Sequence, residues 1–192
     1  MPNPVRLLAS AFRVVFTPQI LGMVTKVYIP VLFPLTFAIS MGALAMDGLL
    51  GFGSGFLPAN LVWPVAGGLL VAGLLVVGIT YAELVFEGKG SPSPTAGRTL
   101  KLVRSGIYAY SRNPSVWGKL FGFLAVGVAL NSVSFVFILA PLILAVSLVE
   151  KVVRQEPQLV EIFGDDYERY RQEVPLFVPW GLIGLRRKST AS

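Results

Sequence analysis

No cysteine and no histidine occur anywhere in this 192-residue chain. Their absence excludes disulfides, thiolate nucleophiles, histidine general bases and Ser-His-Asp triads, and it removes nearly every transition-metal site. A catalyst built from what remains works by positioning a reagent that is already activated. Charge is scarce as well: 14% of residues are charged and 54% hydrophobic, whereas a soluble domain carries about a quarter charged residues. A soluble domain is thereby excluded, and the chain reads as an integral membrane protein. The basic residues are also absent from defined places. All sixteen Lys and Arg fall within 1–26, 89–119 and 151–188, and none lies in 47–60 or 131–134.

A run of about twenty apolar residues crosses a hydrocarbon core roughly 30 Å thick. Such runs lie at about 28–49, 62–82, 116–131 and 133–149, which predicts an all-α polytopic membrane protein of about four transmembrane helices. The last two are short and separated by Asn131-Ser132, so a tight helical hairpin is expected. Cytosolic flanks carry the Lys/Arg excess. Both termini and the 83–115 loop are therefore expected in the cytosol, with Asp47 the lone acid on the other side. The net charge of +6 is spread over three flanks and reads as attraction to anionic lipid headgroups, with no nucleic-acid partner.

The whole chain, 1–192, reads as one domain. Residues 1–26, with Arg6 and Arg13 interrupting Leu8, Phe12, Val15 and Phe16, are expected to form an amphipathic helix lying in the interface, not a cleaved signal peptide. The transmembrane region spans 28–149 and a C-terminal segment with a helical cap spans 150–192. Gly118, Gly122 and Gly127 place small residues along the third span, where they favour close helix packing.

Two polar stretches border the apolar runs. In 102–118, Gly106 offers a positive-φ position for a turn or a close approach, and Asn113-Pro114 suits the N-cap and first position of a helix. In 150–179, Glu150, Lys151, Arg154 and Glu156 recur at helical spacing and are expected to share a face. Pro157 is expected to break or bend that helix. Leu159, Val160, Phe163, Tyr167 and Tyr170 then outline a second amphipathic helix, with a turn or restart at Phe163-Gly164-Asp165-Asp166 and an end near Val174-Pro175. Taken alone, Tyr108, Tyr110 and Trp117 fit an interfacial aromatic belt, and Arg104, Arg112 and Lys119 fit positive-inside anchors.

Together these stretches resemble the membrane methyltransferase superfamily that contains isoprenylcysteine carboxyl methyltransferases and phospholipid methyltransferases. One part of the resemblance is the pattern Leu-Val-x-x-Gly-x-Tyr-x-x-x-Arg-His-Pro, met by Leu102, Val103, Gly106, Tyr108, Arg112 and Pro114. The other is a Glu-rich turn followed by Leu-x-x-x-Phe-Gly-x-x-Tyr-x-x-Tyr and a Val-Pro tail, met by Glu156, Leu159, Phe163, Gly164, Tyr167, Tyr170, Val174, Pro175 and Pro179. The chain departs from the pattern at Asn113, where many relatives have His, at Gln155, where a first Glu often stands, and at Val116, commonly aromatic.

The resemblance implies an S-adenosylmethionine-dependent methyltransferase, releasing S-adenosylhomocysteine and acting on a lipophilic, membrane-resident acceptor such as a lipid or a prenylcysteine. It implies a cofactor site lined by Leu100, Leu102, Val103, Gly106, Tyr108, Asn113, Pro114, Ser115 and Glu156, with no metal. Arg154, or Lys151 one turn earlier, would orient the acceptor or neutralise its developing charge, and Glu156 would serve the chemistry beside them. The competing readings are a noncatalytic membrane scaffold and a small transporter. A transporter normally carries ionisable groups at mid-depth in its spans, and the four apolar runs carry none there.

Overall fold

The computed structural model describes residues 30–31, 33–53, 55–88 and 101–177. The interfacial helix expected at 1–26, residue Leu100, the tail from Val178 and most of the long loop lie outside the described residues. Among the described residues the architecture is helical, without strands: α1 Phe33–Leu50, α2 Ala59–Phe86, a 3₁₀ turn Gly106–Ala109, α3 Pro114–Ala129, α4 Phe135–Phe163 and α5 Asp165–Glu173. Helices α1, α2 and α4 are long and apolar enough to cross a membrane, and α3 is a shorter apolar helix. Their outer faces carry side chains such as Phe37, Trp63, Leu74 and Val146, all exposed. On a membrane protein these faces are solvated by lipid.

Two expected boundaries are corrected. The second span does not stop at 82: α2 has 28 residues, about 42 Å at 1.5 Å per residue, so its last turn, carrying Glu83, is still helix. The fourth span is not short either. Helix α4 runs unbroken for 29 residues, and Pro157 does not interrupt it. A π turn at Lys151–Gln155 directly precedes Glu156-Pro157, and another at Phe135–Leu139 directly precedes Ala140-Pro141. A proline in a regular helix clashes with the carbonyl four residues back. The wider turn shifts the hydrogen-bonding register, with Ala140 N–H donating to Phe135 and Glu156 N–H to Lys151, and the helix continues.

Helices α2 and α3 approach closely through glycine. A Cβ built on Gly73 would lie 3.0 Å from the Gly118 carbonyl oxygen, and one on Gly118 would lie 2.4 Å from Val77 Cγ2. The expected packing role thus falls on Gly118, and also on Gly127 against Phe135, whereas a Cβ at Gly122 would meet nothing within 4 Å.

The hairpin between α3 and α4 is held by polar side chains. Asn131 adopts φ 49°, a conformation Asn tolerates. Its side chain accepts from the amides of Phe56 and Leu57 at 3.1 and 3.0 Å and donates to the Leu57 carbonyl at 2.9 Å. Asp47, buried near the end of α1, accepts from the Ser132 hydroxyl at 2.5 Å and the Ser134 amide at 2.8 Å. A carboxylate from one span therefore caps the start of another.

Candidate active site

At the opposite end of the bundle, the last turn of α2, the segment 101–113, the start of α3, the end of α4 and helix α5 converge. Helices α4 and α5 are separated by Gly164, at φ 53°, as the expected restart required. The break leaves Leu159, Val160 and Phe163 packed with buried Tyr167, Tyr170 and Val174, and Leu102 joins them. The amphipathic pattern thus describes a cluster spread over two short helical stretches that grips the 101–113 segment.

Three anchors position that segment. First, the Ile107 amide donates to both carboxylate oxygens of Glu83, at 3.2 and 3.0 Å, while Gly106 takes φ 57° directly against the same carboxylate. Second, the Tyr170 hydroxyl donates to the Tyr108 carbonyl at 2.7 Å, and Arg104 lies over the Tyr170 ring. Third, residues 174–177 form a strap: the Arg112 amide donates to the Pro175 carbonyl at 3.0 Å, the Ser111 hydroxyl to Leu176 at 3.3 Å and the Trp117 indole to Phe177 at 2.9 Å. Trp117 and Phe177 also stack, 4.3 Å between centroids. Trp117, which taken alone fits an interfacial belt, is engaged by the strap.

At the centre Arg112 meets Glu156, 2.5 Å apart, with side chains 11% and 8% exposed. The Tyr167 hydroxyl lies beside both. Burial pushes that hydroxyl up to about 12, Glu156 adds to the rise and Arg112 opposes it. Burial raises Tyr108 and Tyr170 as well, so all three phenols stay protonated at neutral pH. One donor of this cluster, Arg112 Nε, is buried without a hydrogen-bond partner among the described residues.

The expected shared face of Glu150, Lys151, Arg154 and Glu156 does not form. The π turn carries more residues per turn than the α-helix, so Lys151 and Glu156, five apart, are buried while Arg154 is exposed. Lys151 Nζ donates to Gln155 Oε1 at 2.6 Å, and Gln155 reaches Glu150 at 3.3 Å. Arg154 makes no ion pair among the described residues. Asn113 occupies the N-cap position of α3 with Pro114 next to it, yet its side chain makes no capping bond. The Asn113 and Ser115 side chains point to no hydrogen-bond partner among the described residues.

An open groove of about 600 Å³ lies between Phe86-Glu87 and residues 101–105, so Leu102 and Val103 line it. The sequence-predicted site residues thus form neighbouring groups: Leu102 and Val103 at the groove, Gly106 and Tyr108 at the Glu83 turn, and Asn113, Pro114 and Ser115 opening α3 just beyond Arg112. Glu156 faces Arg112. Sequence reasoning missed Glu83 and left Arg112 open between a membrane anchor and a motif position. The signal for Glu83 was present, because a carboxylate adjoining an apolar run is costly in lipid and demands a partner. Ending the span at 82 placed it in the loop.

Residues 61–166, more than half of the chain, match the phospholipid methyltransferase family. The chain belongs to that family, and the segments just described fall largely within the matched region. It is also similar to the protein-S-isoprenylcysteine O-methyltransferase of Schizosaccharomyces pombe, at 40% identity over 79 residues, which is 41% of this chain and 33% of that protein. The chain therefore matches about a third of that relative's length. No solved structure matches.

Proposed function

We propose that this protein is an S-adenosylmethionine-dependent methyltransferase acting on a membrane-resident lipid or prenylcysteine-like acceptor, with its active site at the cytosolic edge of the bilayer. The observation that carries the reading is the buried Arg112–Glu156 pair with the Tyr167 hydroxyl. It unites the two sequence segments that resemble the superfamily. The family description, phospholipid methyltransferase, and the relative's name, an isoprenylcysteine O-methyltransferase, support a lipophilic acceptor.

The residues present fit the donor. Its amino-acid end carries a carboxylate and an ammonium, which would suit Arg112 Nε, without a partner among the described residues, and the Glu156 carboxylate. Phe86, Leu102 and Val103 give the groove an apolar wall that would suit the donor's adenine ring. When bound, S-adenosylmethionine supplies a methyl group on a cationic sulfur, an electrophile needing no histidine for activation. The chain's contribution is alignment and exclusion of water, which together supply most of the rate in such transfers. Gly106, Tyr108, Asn113, Pro114 and Ser115 shape the donor side. Arg154, exposed on the turn before Glu156, orients an anionic acceptor; Lys151, held by Gln155, supports the local positive field.

Calorimetric titration of the purified protein with S-adenosylmethionine and S-adenosylhomocysteine tests this reading. Saturable binding of both is expected, followed by labelled methyl transfer to a prenylcysteine carboxylate or to a phospholipid amine. Absence of binding would leave a noncatalytic scaffold.

A further inference from the structure

We propose that Glu83 is a positioning residue for methyl-donor binding, acting through the Gly106–Tyr108 turn; the inference rests on the methyltransferase reading above. Glu83 lies in the last turn of α2 and is 7% exposed. It forms no salt bridge among the described residues. Burying a carboxylate without a cation is expensive, and packing alone would be served better by an apolar side chain.

The charge is used on backbone. Both oxygens accept from the Ile107 amide, while the Tyr108 amide donates to the Ser105 carbonyl at 3.1 Å and closes the turn. Positive φ at Gly106 turns the backbone so that the Ile107 N–H points at the carboxylate. A Cβ at 106 would fall on the Glu83 carboxylate, so a larger residue there must displace it. One turn later, at the C-cap of α2, Glu87 accepts from the Ser105 hydroxyl. The end of α2 is therefore fastened to the segment at 105 and 107.

The consequence reaches the proposed donor site from two sides. Upstream of the Glu83 contact, residues 101–105 form a wall of the groove. Downstream, five residues from Ile107, Arg112 enters its pair with Glu156. The turn cannot be rigid at Arg112 unless both ends are held. Tyr170 and the 174–177 strap hold one side, and Glu83 holds the other. Losing Glu83 frees the turn to move relative to α2, so the groove wall and Arg112 no longer keep a common geometry.

The test compares wild-type protein with Glu83→Gln, Glu83→Asp and Gly106→Ala in nanodiscs, with Glu161→Ala as an exposed-acid control. Calorimetry with S-adenosylhomocysteine, separate KM values for donor and acceptor, and the unfolding midpoint are recorded for each. Gln retains one acceptor and no charge, so its donor Kd should rise at least about tenfold, the scale of a charge-assisted hydrogen bond. Donor KM should follow it while acceptor KM stays at the wild-type value. Asp, which keeps two acceptors, should fall between Gln and wild type. Gly106→Ala should show the same donor-specific loss by displacing the carboxylate, and it supplies the answer if Glu83→Gln does not fold. Wild-type Kd in a folded Glu83→Gln or Gly106→Ala protein would overturn the assignment to Glu83 alone, as would equal losses of donor and acceptor KM. Failure of the wild-type protein to bind would overturn the methyltransferase reading and this inference with it.

Discussion

At Arg112 the chain buries a guanidinium against Glu156 and leaves its Nε without a partner among the described residues. Such a pair is tolerable only while both members are present, because removing one strands the other charge in a low dielectric. Glu156→Gln should therefore lower stability by about 3 kcal/mol, whereas Arg112→Met with Glu156→Met should recover most of that loss. Donor binding should be lost in both. Detergent-solubilised unfolding beside calorimetry checks the split, and a double variant as unstable as the single one would contradict it. This pair also marks what single residues disclose. Glu156 was legible from its motif, but its partner was not, since Arg112 lies 44 residues away and only packing of α4 beside the 101–113 segment brings them together.

Elements pose a different question, how close two helices approach. The crossing of α2 and α3 is set by Gly73 and Gly118, where added carbon meets backbone and Val77. Gly118→Ala should force the helices apart and cost about 1–3 kcal/mol, the range for overpacking. Gly122→Ala, with open space at its Cβ, should be neutral or stabilise by about 0.5–1 kcal/mol through helix propensity. Thermal midpoints of the two variants provide the comparison, and equal shifts would remove the glycine contact as the cause. Periodicity placed both glycines on one helix and could not tell them apart. The π turns were equally hidden: a proline in an apolar run reads as a break, yet a widened turn before Pro141 and Pro157 keeps α4 continuous and changes which of residues 151–156 turn inward.

For the whole molecule, the separation of charge predicts orientation. The end carrying Glu83, Arg112 and Glu156 should face the cytosol, and the end carrying Asp47 and Asn131 the other side. Cysteines introduced singly into this cysteine-free chain at exposed Gly53 and Gln172 test it with an impermeant thiol reagent on intact cells. Gly53→Cys should react at once and Gln172→Cys only after the membrane is opened. The reverse pattern would place the proposed active site on the wrong side for a cytosolic donor.

Composition and the order of apolar runs determined by themselves that this is a helical membrane protein, because burying unpaired backbone in lipid leaves a helix as the solution for an apolar run of span length. They determined equally that its polar chemistry collects at 102–118 and 150–179, since charge is expelled from the hydrocarbon core. Tertiary structure alone decided which of those polar groups meet. Glu83 caps an amide 24 residues away, Asp47 a hydroxyl 85 residues away and Trp117 stacks on Phe177. Such contacts depend on helix register, crossing distance and the extra residue in a π turn, each a property of packed pairs of elements. No local pattern encodes a partner that becomes a neighbour only after both segments have folded.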